Sequence, residues 1–139
     1  MTEIHAGGCL CGAVRYRATG LPVRSGICHC TYCQRRTGSA FAVFVHFQQK
    51  DVRLLEGTLS THTHFSDESG RAITTEFCPV CATTVFLKPA VFPDVCSVSG
   101  GTFDDPGWLQ IGRHIWARSA QKWMLIPPEV EAMNTAPMR

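Results

Sequence analysis

Apolar and polar side chains alternate with a period of two along most of the chain, and no long segment keeps a period of 3.6. In residues 13–18, Val14 and Tyr16 fall on one side and Arg15 and Arg17 on the other, which predicts a half-buried strand. Residues 19–22 carry Gly and Pro and predict a turn. Residues 25–28 form a short strand candidate. The polar run 34–38 has room for one helical turn ending at Gly38. Residues 40–47 are apolar on both faces, with Phe41, Val43, Val45 and Phe47 on one side and Ala42, Phe44 and His46 on the other, so this strand is expected to be central. Residues 52–56 and 58–65 predict two strands flanking Gly57, and 66–70 a polar turn. Strands are also expected at 72–77, 83–87, 95–99 and 114–117, with a loop at 102–107. The tail from Glu129 has the composition of a short helix or a mobile end. Short strands punctuated by Gly and Pro predict an all-β domain of antiparallel strands. One domain is expected over residues 1–139, with a core at about 5–126 and a tail at 127–139.

Composition changes this picture little. Apolar residues make up 45% and charged residues 17% of the chain, which excludes a disordered polymer. The formal charge of +2 counts every cysteine as protonated. Seven thiolates holding two divalent ions would subtract three charges and leave −1. Basicity therefore gives no argument for a nucleic-acid partner, and the Lys and Arg residues are scattered rather than gathered in a stripe. The longest apolar run, residues 40–45, is too short to cross a bilayer. The first residues lack the basic start and apolar run of a leader peptide, so a cytoplasmic location is expected.

The cysteines change the picture most. Seven of eight fall into tight clusters: Cys9-x-Cys11, then Cys28, Cys30 and Cys33, then Cys78-x-x-Cys81. In a chain of this kind such spacing indicates metal rather than disulfides. The two pairs each supply two ligands, and a structural zinc takes four. The economical arrangement is one closed site from Cys9, Cys11, Cys78 and Cys81, tying the start of the chain to a hairpin built around the later pair. The triple supplies three ligands and leaves one corner of a tetrahedron open. Two Zn²⁺ ions per chain are expected. Cys96 stands alone in a strand and is read as a buried small hydrophobe; as a fourth ligand it would close the triple. His29, His62, His64 and His114 are the other donors in reach by type, though His29, between two ligands, should point away.

An open zinc held by three thiolates is electron-rich and better suited to a soft thiol than to making hydroxide. A thiol at the open corner would lose its proton and could add to a carbonyl carbon. Arg35, Arg36 and Arg71 are candidates to offset the negative cluster or to bind carboxylates, and Ser39 and Thr37 to donate hydrogen bonds. Asp104 and Asp105 are read as turn formers. The competing reading is a non-catalytic zinc module that carries a thiol or docks a protein.

Several stretches together resemble the glutathione-dependent formaldehyde-activating enzyme (GFA) family, which also includes proteins resembling centromere protein V. They are Gly8-Cys-Leu-Cys-Gly12, Cys28-His-Cys-Thr-Tyr-Cys-Gln-Arg-Arg-Thr-Gly-Ser39 with Phe41, and Arg71 ahead of Phe77-Cys-Pro-Val-Cys81. Gly101-Thr-Phe-Asp-Asp-Pro106, His114-Ile-Trp116 and Trp123 also fit. The resemblance implies a compact β-tent fold and the same division into a structural zinc (Cys9, Cys11, Cys78, Cys81) and a catalytic one (Cys28, Cys30, Cys33). It also implies glutathione and formaldehyde as partners, a carbon–sulfur lyase activity, and a glutathione site near the second zinc, for which Arg35, Arg36 and Ser39 are the candidates. One position departs from the pattern. Ala82 follows Cys81 where the family has Gly, and because alanine resists positive φ an altered knuckle is expected there.

Overall fold

The central strand β4 (Ala42–Gln48) shows how one sequence serves two environments. Side chains alternate across a strand, so Val45 and Phe47 enter one apolar core while Ala42, Phe44 and His46 face the other way. The computed structural model describes residues 2–67 and 69–136. Its larger sheet also contains β3 (Arg24–Cys28), β6 (Ser60–Phe65), β7 (Ala72–Phe77), β8 (Thr84–Pro89), β9 (Val95–Ser99), β10 (Arg113–Ile115) and β11 (Glu131–Ala132). Its strand order is β11-β10-β3-β4-β9-β8-β7-β6. All neighbours are antiparallel except at the β11-β10-β3 end, which is parallel. A three-stranded sheet of β1 (Ile4–Gly8), β2 (Arg15–Thr19) and β5 (Val52–Glu56), in the order β1-β2-β5, supplies the other side of the core.

Register fixes which side chains share each face. Phe47 lies opposite Cys96 and Val45 opposite Val98, which is in turn opposite Phe86, and this row is buried. The next row, His46, Ser97 and Leu87, turns to the opposite face. From the small sheet Val14, Tyr16 and Ala18 fill the core, each with no exposed surface. The buried Tyr16 hydroxyl donates to Thr102 Oγ1 (2.8 Å), which donates onward to the Ser99 carbonyl (2.7 Å). Burial raises the Tyr16 pKa and keeps this donor protonated. The Thr102-Phe103 pair of the sequence motif is thereby explained as packing: Phe103 lies edge-on to Tyr16, with ring centroids 5.7 Å apart.

The alternation-based strands appear with ends moved by one or two residues. β1 escapes that pattern because its glycines weaken strand propensity. Its close packing requires them: a Cβ on Gly7 would lie 2.3 Å from the Tyr16 hydroxyl. The strands flanking Gly57 do not pair with each other. β5 joins the small sheet, β6 the edge of the large one, and Gly57 (φ 86°) carries the chain between them, where a Cβ would lie 2.3 Å from the Ala13 carbonyl oxygen. The tail forms neither a helix nor a loose end through residue 136: β11 pairs with β10, and Met133 N–H donates to the His114 carbonyl (2.9 Å). Residues 137–139 of the expected tail lie outside the described residues. Among the described residues no helix is long and apolar enough to cross a membrane.

Candidate metal centres

Two loops with the same backbone logic bring Cys9, Cys11, Cys78 and Cys81 together. In each, the first cysteine's amide bonds to the returning chain: Cys9 N–H to the Val14 carbonyl (3.1 Å) and Cys78 N–H to the Thr83 carbonyl (3.0 Å). In each, the residue after the second cysteine turns left-handed and its amide closes back on the first cysteine's carbonyl: Gly12 (φ 84°) on Cys9 at 3.2 Å and Ala82 (φ 66°) on Cys78 at 2.8 Å. The altered knuckle expected at Ala82 is therefore not seen; the alanine takes the glycine conformation. Thr83 links the loops, because its hydroxyl accepts from Leu10 N–H (3.1 Å) and lies 3.2 Å from Cys81 Sγ.

The four sulfurs lie within 4.8 Å of one another. Cys9 to Cys11 is 3.6 Å and Cys11 to Cys78 is 3.8 Å. A regular tetrahedron with metal–sulfur bonds of about 2.3 Å has edges of about 3.8 Å, so the spacing fits zinc. Amides of Val14 and Val80 point at the Cys9 and Cys78 sulfurs (3.2 and 3.4 Å). Without metal the Cys81 thiol is pushed down to about 5, by the Thr83 hydroxyl first and its amide next. Cys11 is favoured as thiolate by the Ala13 amide, but desolvation and bonds given to the other sulfurs push it up to about 11. The cluster thus holds protons that a divalent cation would displace.

The triple is built at one strand end and one helix start. Cys28 ends β3 opposite Ala42, so it faces away from the main core. Cys30 precedes α1 (Thr31–Thr37), its sulfur accepting from Cys33 N–H (3.2 Å). The helix starts three residues before the predicted polar run because this sulfur supplies the cap that a Ser or Asp oxygen normally gives. It stops at Gly38 (φ 69°) as expected. Gln34 anchors the helix by donating to the carbonyls of His29 (2.8 Å) and Ser119 (3.0 Å). All three thiols are buried. Hydrogen bonds from Cys28 and Cys30, then the charge of Arg36, push Cys33 down to about 3, while the bonds Cys28 gives push that thiol up.

Among the described residues no histidine and no eighth cysteine joins either group. His29 turns from the sulfurs and its Nε2 lies 2.8 Å from His114 Nδ1, both rings buried. Cys96 sits in the main core, and burial raises its thiol to about 12. His64 stacks on Tyr32 with centroids 4.8 Å apart. Asp104 forms a two-pronged ion pair with Arg15, one contact of which is 2.9 Å, and Asp105 caps a short turn by accepting from Gly107 N–H (2.9 Å).

Cys28, Cys30 and Cys33 line a cavity of about 140 Å³ on the second face of the large sheet. Phe44, Leu87, Phe92 and Trp116 form much of its wall, with Arg36 and Arg71 among its polar groups. Trp116 holds a left-handed backbone (φ 56°), rare for so large a residue. A second cavity of about 540 Å³ lies between α1 and strands β6 and β7, lined by Tyr32, Arg35, Arg36, His62 and His64 among others. Arg36 borders both spaces, Arg35 only the larger, and Ser39 neither. Ser39 N–H instead bonds the Thr37 hydroxyl (3.0 Å), which donates to the Cys33 carbonyl (2.7 Å), so both close the helix end. Sequence reasoning placed Phe44 and Leu87 only in strands and Trp116 only in a strand and a motif, and did not bring them together as a cavity wall. The available signal was the apolar second face of β4, which had to pack against something.

These features define an all-β protein with a four-cysteine and a three-cysteine cluster, each able to hold a metal ion. The chain belongs to the glutathione-dependent formaldehyde-activating enzyme family, whose model matches residues 4–119. No curated protein matches it. Among solved structures, the crystal structure of a Rhodobacter sphaeroides protein is similar at 21% identity and a TM-score of 0.56, covering 71% of this chain and 87% of that one. At that identity the likeness is one of fold.

Proposed function

We propose that the chain adds a thiol, glutathione or a close analogue, to a small aldehyde such as formaldehyde, giving an S-hydroxymethyl adduct as a carbon–sulfur lyase. The observation that carries the reading is the contrast in donor number: four sulfurs complete one group, and three buried sulfurs border a cavity in the other. All-sulfur donors suit zinc, with Cys9, Cys11, Cys78 and Cys81 as the structural set and Cys28, Cys30 and Cys33 as the catalytic set. When bound at the triple, zinc would supply a soft Lewis-acid corner that holds a thiol as its thiolate near neutral pH.

The chain's own residues do the rest. Arg36, beside Cys33, offsets the negative charge of the thiolates. Its position between both cavities lets it hold a carboxylate of a peptide thiol whose sulfur enters the smaller space. The 140 Å³ chamber is below the size that drug-sized ligands occupy, about 300–1,000 Å³, whereas the 540 Å³ cavity lies inside that range. The tripeptide body therefore belongs in the larger cavity, with Arg35 as a second carboxylate partner. The mainly apolar walls, half-buried at Phe44, Leu87 and Phe92 and buried at Trp116, limit the bulk water that could compete for the carbonyl carbon.

Zinc per chain, followed by calorimetric titration with glutathione and an assay of adduct formation over the spontaneous rate, tests the reading. Two zincs, saturable glutathione binding that Cys30→Ser removes, and a rate above background are expected. Two zincs with no thiol binding would overturn it in favour of a non-catalytic zinc module.

A further inference from the structure

The chamber beside the triple is larger and more apolar than formaldehyde requires. We infer that the carbonyl partner is an aldehyde of about four or five carbons in all, whose compact apolar group fills the space left beside the thiol sulfur; this rests on the thiol–aldehyde reading above. An enclosed apolar cavity of about 150 Å³ takes benzene; this one measures about 140 Å³, is open on one side and has a mainly apolar wall. Formaldehyde has two heavy atoms. A water molecule's share of liquid volume is about 30 Å³, so formaldehyde, even beside the thiol sulfur, leaves apolar wall uncovered.

Sheet register gives the chamber its character. The row that crosses from His46 to Ser97 to Leu87 places two polar side chains and one apolar one on the same face. Phe44, Ile73, Phe92 and Trp116 widen the apolar share. The Phe44 ring lies over Gly26, where a Cβ would come within 2.4 Å of its tip, so the sheet is thinned there to seat the ring. His46 and Ser97 can serve one carbonyl oxygen; Arg36, Arg71, Ser66 and Ser69 also border the space, but most of the wall is apolar. A tripeptide body is too large for it and belongs in the larger cavity.

The reaction balances without an added oxidant or reductant. The thiol sulfur bonds the carbonyl carbon, the carbonyl π bond breaks, and the thiol proton ends on the oxygen. The product is the hemithioacetal of the larger aldehyde.

The test compares formaldehyde, propanal, isovaleraldehyde and naphthaldehyde with glutathione and the zinc-loaded protein, each corrected for its spontaneous rate. Isoamyl alcohol and methanol serve as unreactive probes in calorimetry. The expected result is a rise in kcat/KM on the order of fourfold per methylene up to isovaleraldehyde, a fall at naphthaldehyde, and binding of isoamyl alcohol but not methanol. Leu87→Trp fills the chamber and should cut the isovaleraldehyde-to-formaldehyde ratio at least tenfold and weaken isoamyl alcohol binding. Ile73→Phe is the milder variant with the same expected direction if Leu87→Trp does not fold. Turnover of formaldehyde that declines along the series, with no binding of isoamyl alcohol, overturns the inference and leaves the thiol–aldehyde reading intact. No turnover of any aldehyde overturns both.

Discussion

The two cysteine clusters use the same atom type and differ in what surrounds them. The tetrad is assembled from two matching loops whose amides point at the sulfurs, and it joins the small sheet to the β7–β8 hairpin. The triad is assembled within six residues at the end of β3 and the start of α1 and borders a cavity. A set that spans distant parts of the chain converts metal affinity into folding free energy. A set drawn from neighbouring residues closes almost no loop, so its metal contributes less to folding and is available for chemistry.

The largest expected effect separates these roles. The apparent free energy of a structural zinc, about 10–16 kcal/mol, matches the whole net stability of a domain, about 5–15 kcal/mol. Cys78→Ser is therefore expected to abolish cooperative folding. Cys30→Ser should keep the native circular dichroism and lose one zinc per chain. Equal damage from both variants would remove the distinction. Arg36→Met comes next: glutathione affinity should fall about ten- to a hundredfold by calorimetry, with both zincs retained, through loss of a charged hydrogen bond worth about 1.5–3 kcal/mol.

A smaller effect concerns the chamber's own histidine. Burial, with Arg24 adding to it, pushes His46 down to about 4. An unfolded imidazole titrates near about 6.5. Above that both states are neutral and the residue contributes no pH dependence. As pH falls from about 6.5 to about 4 the unfolded chain takes a proton that the folded chain refuses, so stability is lost across that window, on the order of 2 kcal/mol. Denaturant titrations of the native protein and His46→Gln at several pH values should differ by that slope.

Smallest and opposite in sign is the tetrad's alanine. Left-handed backbone costs an alanine about 1–2 kcal/mol, part of which is offset because glycine gains entropy when unfolded. Ala82→Gly should raise stability by about 0.5–1 kcal/mol without changing zinc content. A loss of stability would mean that the methyl group makes a compensating contact.

Much of the architecture was legible because burial imposes alternation: Val14, Tyr16, Val45 and Phe47 could be assigned to a core before any coordinates. The grouping of the cysteines was legible because spacing limits which sulfurs can meet. The cavity walls were not. Phe44, Leu87 and Trp116 come from three separate segments and meet only through sheet register, which local pattern does not encode. β1 and β11 escaped for a related reason, since their pairing is set by partners rather than by their own residues. The sulfur cap on α1 was hidden because cysteine is not read as a cap.

Cobalt(II) substitution tests the central claim most directly, since sulfur-to-cobalt charge-transfer intensity grows with the number of bound thiolates. Two cobalt ions per chain are expected, one with the spectrum of four thiolates and one of three, and glutathione should raise the intensity of the second alone. Cys30→Ser should erase that response. Two four-thiolate spectra that glutathione leaves unchanged would contradict the division into a closed and an open site.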